Sequence, residues 1–131
     1  MSIKINQEVR LEREYLVEDI HTAGFLGSGN IEVLATPAMI AFMEECCLNA
    51  VQSHLPEGYT TVGVKVCISH LAAAPKGATI KVKCQLKEQN ERQLDFHVEA
   101  WWNNKKIGEG EHKRFIVHKE RFLQRLKEAM N

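Results

Sequence analysis

The chain has 131 residues, of which 44% are hydrophobic and 26% are charged. A chain of this length can bury about two thirds of its unfolded surface, so we expect one compact domain over residues 1–131 with a single core. Lys and Arg together number 17, as do Asp and Glu, and the formal net charge is zero. This balance argues against nucleic acid or an anionic membrane as the partner, because both favour a strongly basic protein.

The four cysteines bear on the cellular compartment and on metal binding. No apolar stretch follows the first lysine, so we expect no secretory leader and a reducing, cytoplasmic environment. No CxxC pair occurs, and Cys46 and Cys47 would point about 100° apart on a helix, which disfavours joint chelation of a metal. No stretch of ~18 apolar residues occurs, so we expect no membrane span.

The chain before residue 36 contains a strand followed by a loop. Residues 8–18 become strand-like toward their end, and three glycines follow in the segment HTAGFLGSGN. Gly27-Ser28-Gly29 lacks the Lys-Ser or Lys-Thr pair that follows a phosphate-binding loop. We therefore interpret this segment as a loop that could serve as a lid.

A long helix is predicted over residues 36–55, in the segment TPAMIAFMEECCLNAVQSHL. Thr36 is placed as its N-cap and Pro37 as its first helical residue, and Gly58 marks its end. Its polar side chains form one stripe and leave a broad apolar surface, so the helix should be mostly buried.

Four consecutive strands are predicted after this helix, because the hydrophobic period changes from 3.6 to 2. They lie in TTVGVKVCISH, ATIKVKCQLKE, RQLDFHVEAWW and KKIGEGEHKRFIVH. In the first of them the positions expected to face the core are Val62, Val64, Val66, Ile68 and His70. A final helix in KERFLQRLKEAM carries Phe122, Leu126 and Ala129 on one side.

One long buried helix followed by an antiparallel meander predicts an α+β fold, in which a curved sheet wraps around the helix. Such a sheet ends in unpaired strand edges. Pairing with a second copy is the simplest way to cover an edge in a domain this small, so we expect a homodimer.

Glu44 is the first candidate for chemistry. On the predicted helix it shares a face with apolar residues, whereas its neighbour Glu45 belongs to the polar stripe. A carboxylate among apolar groups costs desolvation energy unless it is hydrogen-bonded, and such groups concentrate at functional sites. The alternative is that the helix is rotated and Glu44 reaches solvent or a cation of a partner subunit.

Further candidates lie at the ends of the predicted elements. His70 could act as a base or donor near neutral pH, or be a hydrogen-bonded structural histidine. Thr36 is accounted for as a helix cap, but its hydroxyl would also lie beside helix N-terminal amides that stabilise negative charge. Gly63 permits either close approach of a ligand or a bulge. Arg114 and Lys113 extend a row of lysines that is either a solvated outer face or a contact for the phosphates of a large anionic cofactor.

Three segments together resemble the hot-dog-fold thioesterases of the fluoroacetyl-CoA-specific type: LATPAMIAFMEE, VGVKVCISHLAAAPKG and IGEGEHKRFIVH. The resemblance spans residues 34–120, and HLAAAPKG and GEGxHxRF are its more specific parts. It implies a hot-dog fold paired into a dimer, and an active site of Thr36, Glu44 and His70. It also implies that Gly63 lines the thioester, that Arg114 is the active-site arginine, and that Phe25 lies in the loop that carries an aromatic lid.

The implied chemistry is hydrolysis of a short-chain acyl-CoA to free acid and CoA. The CoA thioester is the substrate and no cofactor or metal is expected, because a thiol of pKa about 8.5 leaves as thiolate far more easily than an alkoxide does. Glu44 would attack the carbonyl or activate water. His70 would activate water or hold the thioester, and Thr36 would orient the acyl group.

Three rival interpretations and one geometric condition accompany this hypothesis. The rivals are a module that binds acyl-CoA or another acyl ligand without turnover, a dehydratase or isomerase on the same fold, and a structural homodimer without a pocket beside Glu44. On one straight helix Thr36 and Glu44 lie ~12 Å apart along the axis. Either Thr36 lies in a segment that folds back over the helix or, as we favour, the site combines residues of two subunits.

Overall fold

The computed structural model of the chain describes residues 2–5 and 8–131. In chain order its elements are β1 (Arg10–Leu16), a 3₁₀ turn (Asp19–His21), α1 (Ala23–Leu26), α2 (Thr36–Gln52), β2 (Tyr59–His70), β3 (Thr79–Asn90), β4 (Gln93–Trp102), β5 (Lys105–His118) and α3 (Lys119–Ala129). The predicted strands agree with β2 to β5 to within two residues at each end.

Within the described residues, five strands form one antiparallel sheet in the order β1-β3-β4-β5-β2. Tight turns join β3 to β4 and β4 to β5. Glu91 and Asn103 adopt the left-handed backbone conformation in these turns, with φ of 56° and 54°. Asparagine tolerates that conformation better than most residues, in keeping with the turn predicted at Asn103. The strands at the two edges of the sheet are β1 and β2.

The core lies between α2 and the inner face of the sheet. Met39, Met43, Cys47 and Val51 of α2 are fully buried. Alternate residues of β3 and β4 cover them from the sheet: Ile80, Val82, Cys84, Leu86, Leu94, Phe96, Val98 and Ala100. The sheet therefore wraps around one long helix, and the predicted α+β arrangement is confirmed.

The predicted boundaries of the long helix need two corrections. Ala35 is the N-cap of α2, and Thr36 is its first residue and makes no capping hydrogen bond. The helix ends at Gln52 instead of Leu55, because Ser53 already forms the C-cap. The Gln52 side chain donates to the carbonyl of Tyr59 at 2.8 Å and accepts from Thr60 Oγ1 at 2.7 Å, which ties the end of α2 to the start of β2.

The first half of β2 faces opposite to the prediction, because a β-bulge lies between Gly63 and Lys65. Before the bulge, Gly63 pairs with the buried Arg114 and so faces the helix; after it, Val66 pairs with the buried His112. The prediction that Val64 faces the core is wrong, since its side chain is 56% exposed. The bulge inserts one residue and therefore reverses the alternation of the strand.

The last helix, α3, has an uncovered apolar side. All of its residues are exposed, including Phe122, Leu126 and Ala129. His118 caps it by accepting a hydrogen bond at Nδ1 from the backbone amide of Arg121. Across the described part of the chain, no helix combines the length and the apolar character needed to cross a lipid bilayer.

Candidate active site

Thr36 and His70 are in direct contact. Thr36 Oγ1 lies 2.7 Å from His70 Nδ1, so this hydrogen bond joins the first residue of α2 to the last residue of β2. Burial lowers the pKa of His70 from its usual 6.5, and the nearby carbonyl of Ala72 only partly opposes this shift. The ring is therefore neutral at pH 7, with one nitrogen able to accept a proton.

His70 also has a nitrogen without a hydrogen bond. Its Nε2 atom is buried and makes no hydrogen bond of standard geometry in the structure. Buried polar atoms are nearly always satisfied, and exceptions concentrate where a ligand or water binds. The hydroxyl of Thr36 contacts this ring instead of capping α2, so the two side chains form a polar pair at one end of the helix.

Glu44 lies farther along α2, over the backbone of β2. Gly63 makes room for it, since a Cβ atom at Gly63 would lie 2.7 Å from Glu44 Oε2. The same Cβ would lie 3.2 Å from His112 Cε1 and 3.4 Å from Arg114 Nη1. Three polar side chains therefore converge on the one position of β2 that carries no side chain. The bulge expected at Gly63 is present, and close approach of a ligand to this position stays a prediction.

Arg114 is a buried cation, which corrects the expectation of an outer-face position. It is 6% exposed, and it faces inward because it shares strand alternation with the buried Ile116. Its Nε donates to Thr61 Oγ1 at 2.7 Å and its Nη2 donates to the Thr61 carbonyl at 2.9 Å. Burial lowers the pKa of Arg114 from its usual value, and the carboxylate of Glu44 opposes that shift.

His112 completes this cluster, although the sequence alone predicts no role for it. It is fully buried, and its Nε2 lies 3.0 Å from Arg114 Nη1. A guanidinium can only donate, so Nε2 accepts and the ring proton resides on Nδ1, which donates to the Lys65 carbonyl at 2.8 Å. Its shared alternation with Ile116 on β5 is the sequence signal that could have identified it as inward-facing.

Glu44 and Arg114 are neighbours without being an ion pair, in the part of the chain that the structure describes. A guanidinium has five N–H groups. Three are engaged by Thr61 and His112, so two remain free beside the carboxylate. An acceptor and a donor thus both lie beside the position that a Cβ atom of Gly63 would occupy. Free N–H groups of a guanidinium can bind and polarise a carbonyl group.

Within one chain the predicted residues fall into two separate groups. Thr36 and Glu44 are both in α2, ~12 Å apart along its axis, so the explanation that Thr36 folds back over the helix is wrong. His70 and Gly63 are likewise separated by roughly 20 Å along β2. Thr36 and His70 form one group, and Glu44, Gly63 and Arg114 form the other. Phe25 lies in α1 with its side chain 60% exposed, so its predicted contact with substrate stays a prediction.

Two cavities and one cluster of ligand-type side chains lie away from both groups. A cavity of about 560 Å³ on the outer face of the sheet is lined by β1, β3 and β4, and one of about 230 Å³ lies beside α3. Among the described residues, one cluster has the spacing of metal ligands: His97, Glu99 and Glu109. Lys106 already bonds Glu109 at 2.7 Å, and this cluster lies on the outer face, so it takes no part in the candidate site.

The chain is similar in sequence to known thioesterases. The family model described as fluoroacetyl-CoA-specific thioesterase matches residues 17–120. A fluoroacetyl-CoA thioesterase from Streptantibioticus cattleyicolor is 34% identical over 97 residues, which cover 74% of this chain and 70% of the relative.

Solved structures show the same similarity. A variant of a fluoroacetyl-CoA-specific thioesterase, solved with fluoroacetate and CoA, aligns with a TM-score of 0.85 and 30% identity over 90% of this chain and 99% of its own. A hot-dog-like protein from Thermanaerovibrio acidaminovorans aligns with a TM-score of 0.87 and 18% identity, over 95% of this chain and 92% of its own. The fold is therefore the hot-dog fold. The chain belongs to the fluoroacetyl-CoA-specific thioesterase family.

Proposed function

We propose that this chain hydrolyses short-chain acyl-CoA thioesters with Thr36, Glu44 and His70 acting at one reaction centre. Membership of a thioesterase family makes it a thioester hydrolase. The acyl-CoA class of the substrate is supported by the names of its relatives and by the neighbour solved with fluoroacetate and CoA. One observation carries the proposal: a carboxylate and a buried guanidinium converge over Gly63 without pairing.

The proposed chemistry begins at the thioester carbonyl. The two free N–H groups of the buried Arg114 orient the acyl group and stabilise negative charge on its oxygen. The carboxylate of Glu44 attacks the carbonyl carbon or removes a proton from the attacking water. The C–S bond then breaks, and CoA leaves as a thiolate that takes up a proton. When Glu44 itself has attacked, water then hydrolyses the resulting acyl–glutamyl anhydride, which releases the free acid and restores the carboxylate. A thiolate leaves readily, so the proposed reaction uses no metal or cofactor.

His70 and Thr36 have the complementary role in this proposal. A neutral imidazole can accept the proton of a water molecule, and the lowered pKa of His70 keeps it neutral at physiological pH. The hydroxyl of Thr36 fixes the orientation of the ring through the 2.7 Å contact with Nδ1. The buried, unpaired Nε2 of His70 is the atom we expect to meet water or the thioester.

We further propose that the chain is a homodimer whose active sites combine residues of two subunits. The edge of β2 supports this arrangement, because Val64 and Val66 are 56% and 42% exposed beside unpaired backbone groups. In an antiparallel pairing of two β2 strands centred on Cys67, the bulge at Gly63 and Val64 of one chain lies across from His70 of its partner. Thr36 and His70 of one subunit would then lie beside the Glu44 and Gly63 group of the other. The four free thiols are consistent with the reducing, cytoplasmic compartment included in this proposal.

The test is thiol release from a panel of acyl-CoA esters, from acetyl to long-chain, by the wild-type protein and two variants. Glu44→Gln keeps the shape of the side chain and removes the base, so we expect kcat to fall at least about 100-fold. Glu45→Gln makes the same change at the adjacent, exposed carboxylate and should keep wild-type activity.

The result separates the rival functions. Release by the wild-type protein and by Glu45→Gln, but not by Glu44→Gln, supports hydrolysis at Glu44. Near-normal release by Glu44→Gln contradicts the assigned role. Tight binding of acyl-CoA with no release from any ester would instead identify a non-catalytic binding module.

A further inference from the structure

Thr61 and His112 hold the guanidinium of Arg114 in place. Its Nε and Nη2 atoms both donate to Thr61, through the hydroxyl and the carbonyl of one residue. Its Nη1 atom donates to His112. These three contacts fix both the position and the plane of the guanidinium, because they engage all three of its nitrogen atoms.

This arrangement is costly for a purely structural element. A buried guanidinium loses its hydration, and no carboxylate pairs with it within the described residues. Apolar residues of similar volume usually serve a core as well or better. Thr61 and His112 are themselves buried, 4% and 1% exposed, so a polar network has been placed where an apolar one would be more stable. Such exceptions are typical of functional sites.

We propose that Thr61 and His112 are positioning residues that aim the free N–H groups of Arg114 at the acyl group beside Glu44. The inference rests on the proposed function and extends it to two residues that act through Arg114. Thr61 fixes the Nε side of the guanidinium, and His112 fixes the Nη1 side. The two N–H groups that remain free are those left for the substrate oxygen.

The bulge in β2 also fixes the tautomer of His112. It directs the carbonyl of Lys65 toward His112 Nδ1, at 2.8 Å. A hydrogen bond at Nδ1 fixes the tautomer in which Nε2 is the acceptor. Without this hydrogen bond the ring proton could reside on Nε2, and two N–H groups, one of His112 and one of Arg114, would then face each other. The bulge therefore has two effects: it places Gly63 under Glu44, and it makes Nε2 of His112 the hydrogen-bond acceptor for Arg114.

The first test compares Thr61→Val with Thr61→Ser. Valine has nearly the shape of threonine but no hydroxyl, so it leaves Arg114 Nε without an acceptor. We expect kcat/KM for acetyl-CoA to fall on the order of tenfold in Thr61→Val and to recover in Thr61→Ser. For His112, we expect a similar loss in His112→Leu and a partial recovery in His112→Gln, whose Oε1 can accept from Nη1.

A double-mutant cycle separates positioning from a general structural role. In an Arg114→Met background the residue to be positioned is absent, so Thr61→Val should cause no further loss of kcat/KM. A merely structural Thr61 would cost the same factor in both backgrounds. An equal loss in the two backgrounds would therefore overturn the proposal.

A second measurement does not depend on turnover. The Nε–H proton of Arg114 should give an NMR signal that exchanges slowly with water in the wild-type protein and in Thr61→Ser, and Arg114→Met identifies the signal by its loss. We expect fast exchange in Thr61→Val. Slow exchange in that variant would show that Thr61 does not hold Arg114. If the wild-type protein hydrolyses no ester, the kinetic assay refutes the proposed function, and the exchange measurement still decides this inference.

Discussion

Glu44 and Glu45 are consecutive carboxylates with opposite surroundings. Glu45 is exposed and lies 4.0 Å from Arg13 on the solvent side of α2. Glu44 is half-buried and faces Gly63 of β2. The helical period of 100° per residue is enough to separate the two, which is why the sequence predicts a different role for each.

Local sequence patterns failed to predict that the residues beside Glu44 are buried. His112 and Arg114 lie on a strand where charged residues alternate with glycines, so composition suggests a wet face. Their burial depends on contacts with Thr61 and the Lys65 carbonyl, which are about 50 residues away in the chain. No local pattern encodes such contacts, whereas the resemblance to a family did point to Arg114.

A substitution at Gly63 tests whether Glu44 acts at the position over this residue. In Gly63→Ala the new Cβ would displace the carboxylate of Glu44, which is the movable end of a flexible side chain. We therefore expect kcat/KM to fall on the order of 10- to 100-fold, while the free energy of unfolding changes by less than about 1 kcal/mol. Activity assays and urea denaturation check this pair of expectations.

The same substitution at Gly24 provides the control. The nearest atom to a Cβ there is the Ile31 carbonyl oxygen at 3.8 Å, which is ordinary contact. Gly24→Ala should therefore retain activity. Wild-type activity in Gly63→Ala would mean that the space over Gly63 is not where the carboxylate acts.

At the scale of secondary structure, β2 is the element that sequence patterns describe least well. Its extent is predicted to within one residue: alternation and β-branched residues indicate a strand over residues 60–70, and the strand spans Tyr59–His70. The side chains of β2 that point toward the helix are predicted correctly only for the part of the strand after the bulge. A bulge depends on pairing with β5, and the single signal for it in the sequence is the glycine at position 63. In β3 the register shift lies after Leu86, beyond its buried residues, so the buried positions of β3 and β4 follow the predicted alternation. A further shift lies in β5 at Ile107, which is buried beside Gly108.

The exposed edge of β2 leads to a prediction about a disulfide between two subunits. Cys67 is the one exposed cysteine of the four, and it faces away from the helix. If two β2 strands pair around Cys67, the two Cα atoms lie about 4.5–5.5 Å apart, within the range of a disulfide. Mild oxidation should then give a covalent dimer on a non-reducing gel.

Matched variants make this expectation specific. Cys67→Ser should abolish the covalent dimer, while Cys47→Ser, at a buried cysteine, should leave it unchanged. A protein that is dimeric by light scattering and yet never cross-links through Cys67 would have a different pairing or register.

At the scale of the whole molecule, fold and site differ in how completely one chain contains them. The hot-dog fold follows from local signals, namely a helix with a wide apolar face and strands of period 2 joined by short turns. The site does not follow from local signals. Thr36, which contacts His70, is separated from Glu44 by ~12 Å along α2. This separation is a fixed property of a straight helix, and it is the reason why the sequence predicts a site shared between two subunits.

A shared site predicts complementation between two inactive variants. Thr36→Ala removes one group and Glu44→Gln removes the other, so each homodimer should be inactive. In a mixed dimer, one site receives both substitutions and the other receives none. Subunits exchanged at equal concentration should therefore recover about a quarter of the wild-type activity, since half of the dimers are mixed and each has one intact site.

The control for complementation uses two residues of the same group. Thr36 and His70 contact each other within one chain, so every site takes both from the same subunit. Mixing Thr36→Ala with His70→Asn should recover nothing, because each site of the mixed dimer lacks one of the two side chains. Equal recovery in both mixtures would point to reactivation by the exchange procedure, and no recovery in either would place the whole site within one subunit. Recovery only in the first mixture therefore distinguishes a site built from two chains from a site contained in one.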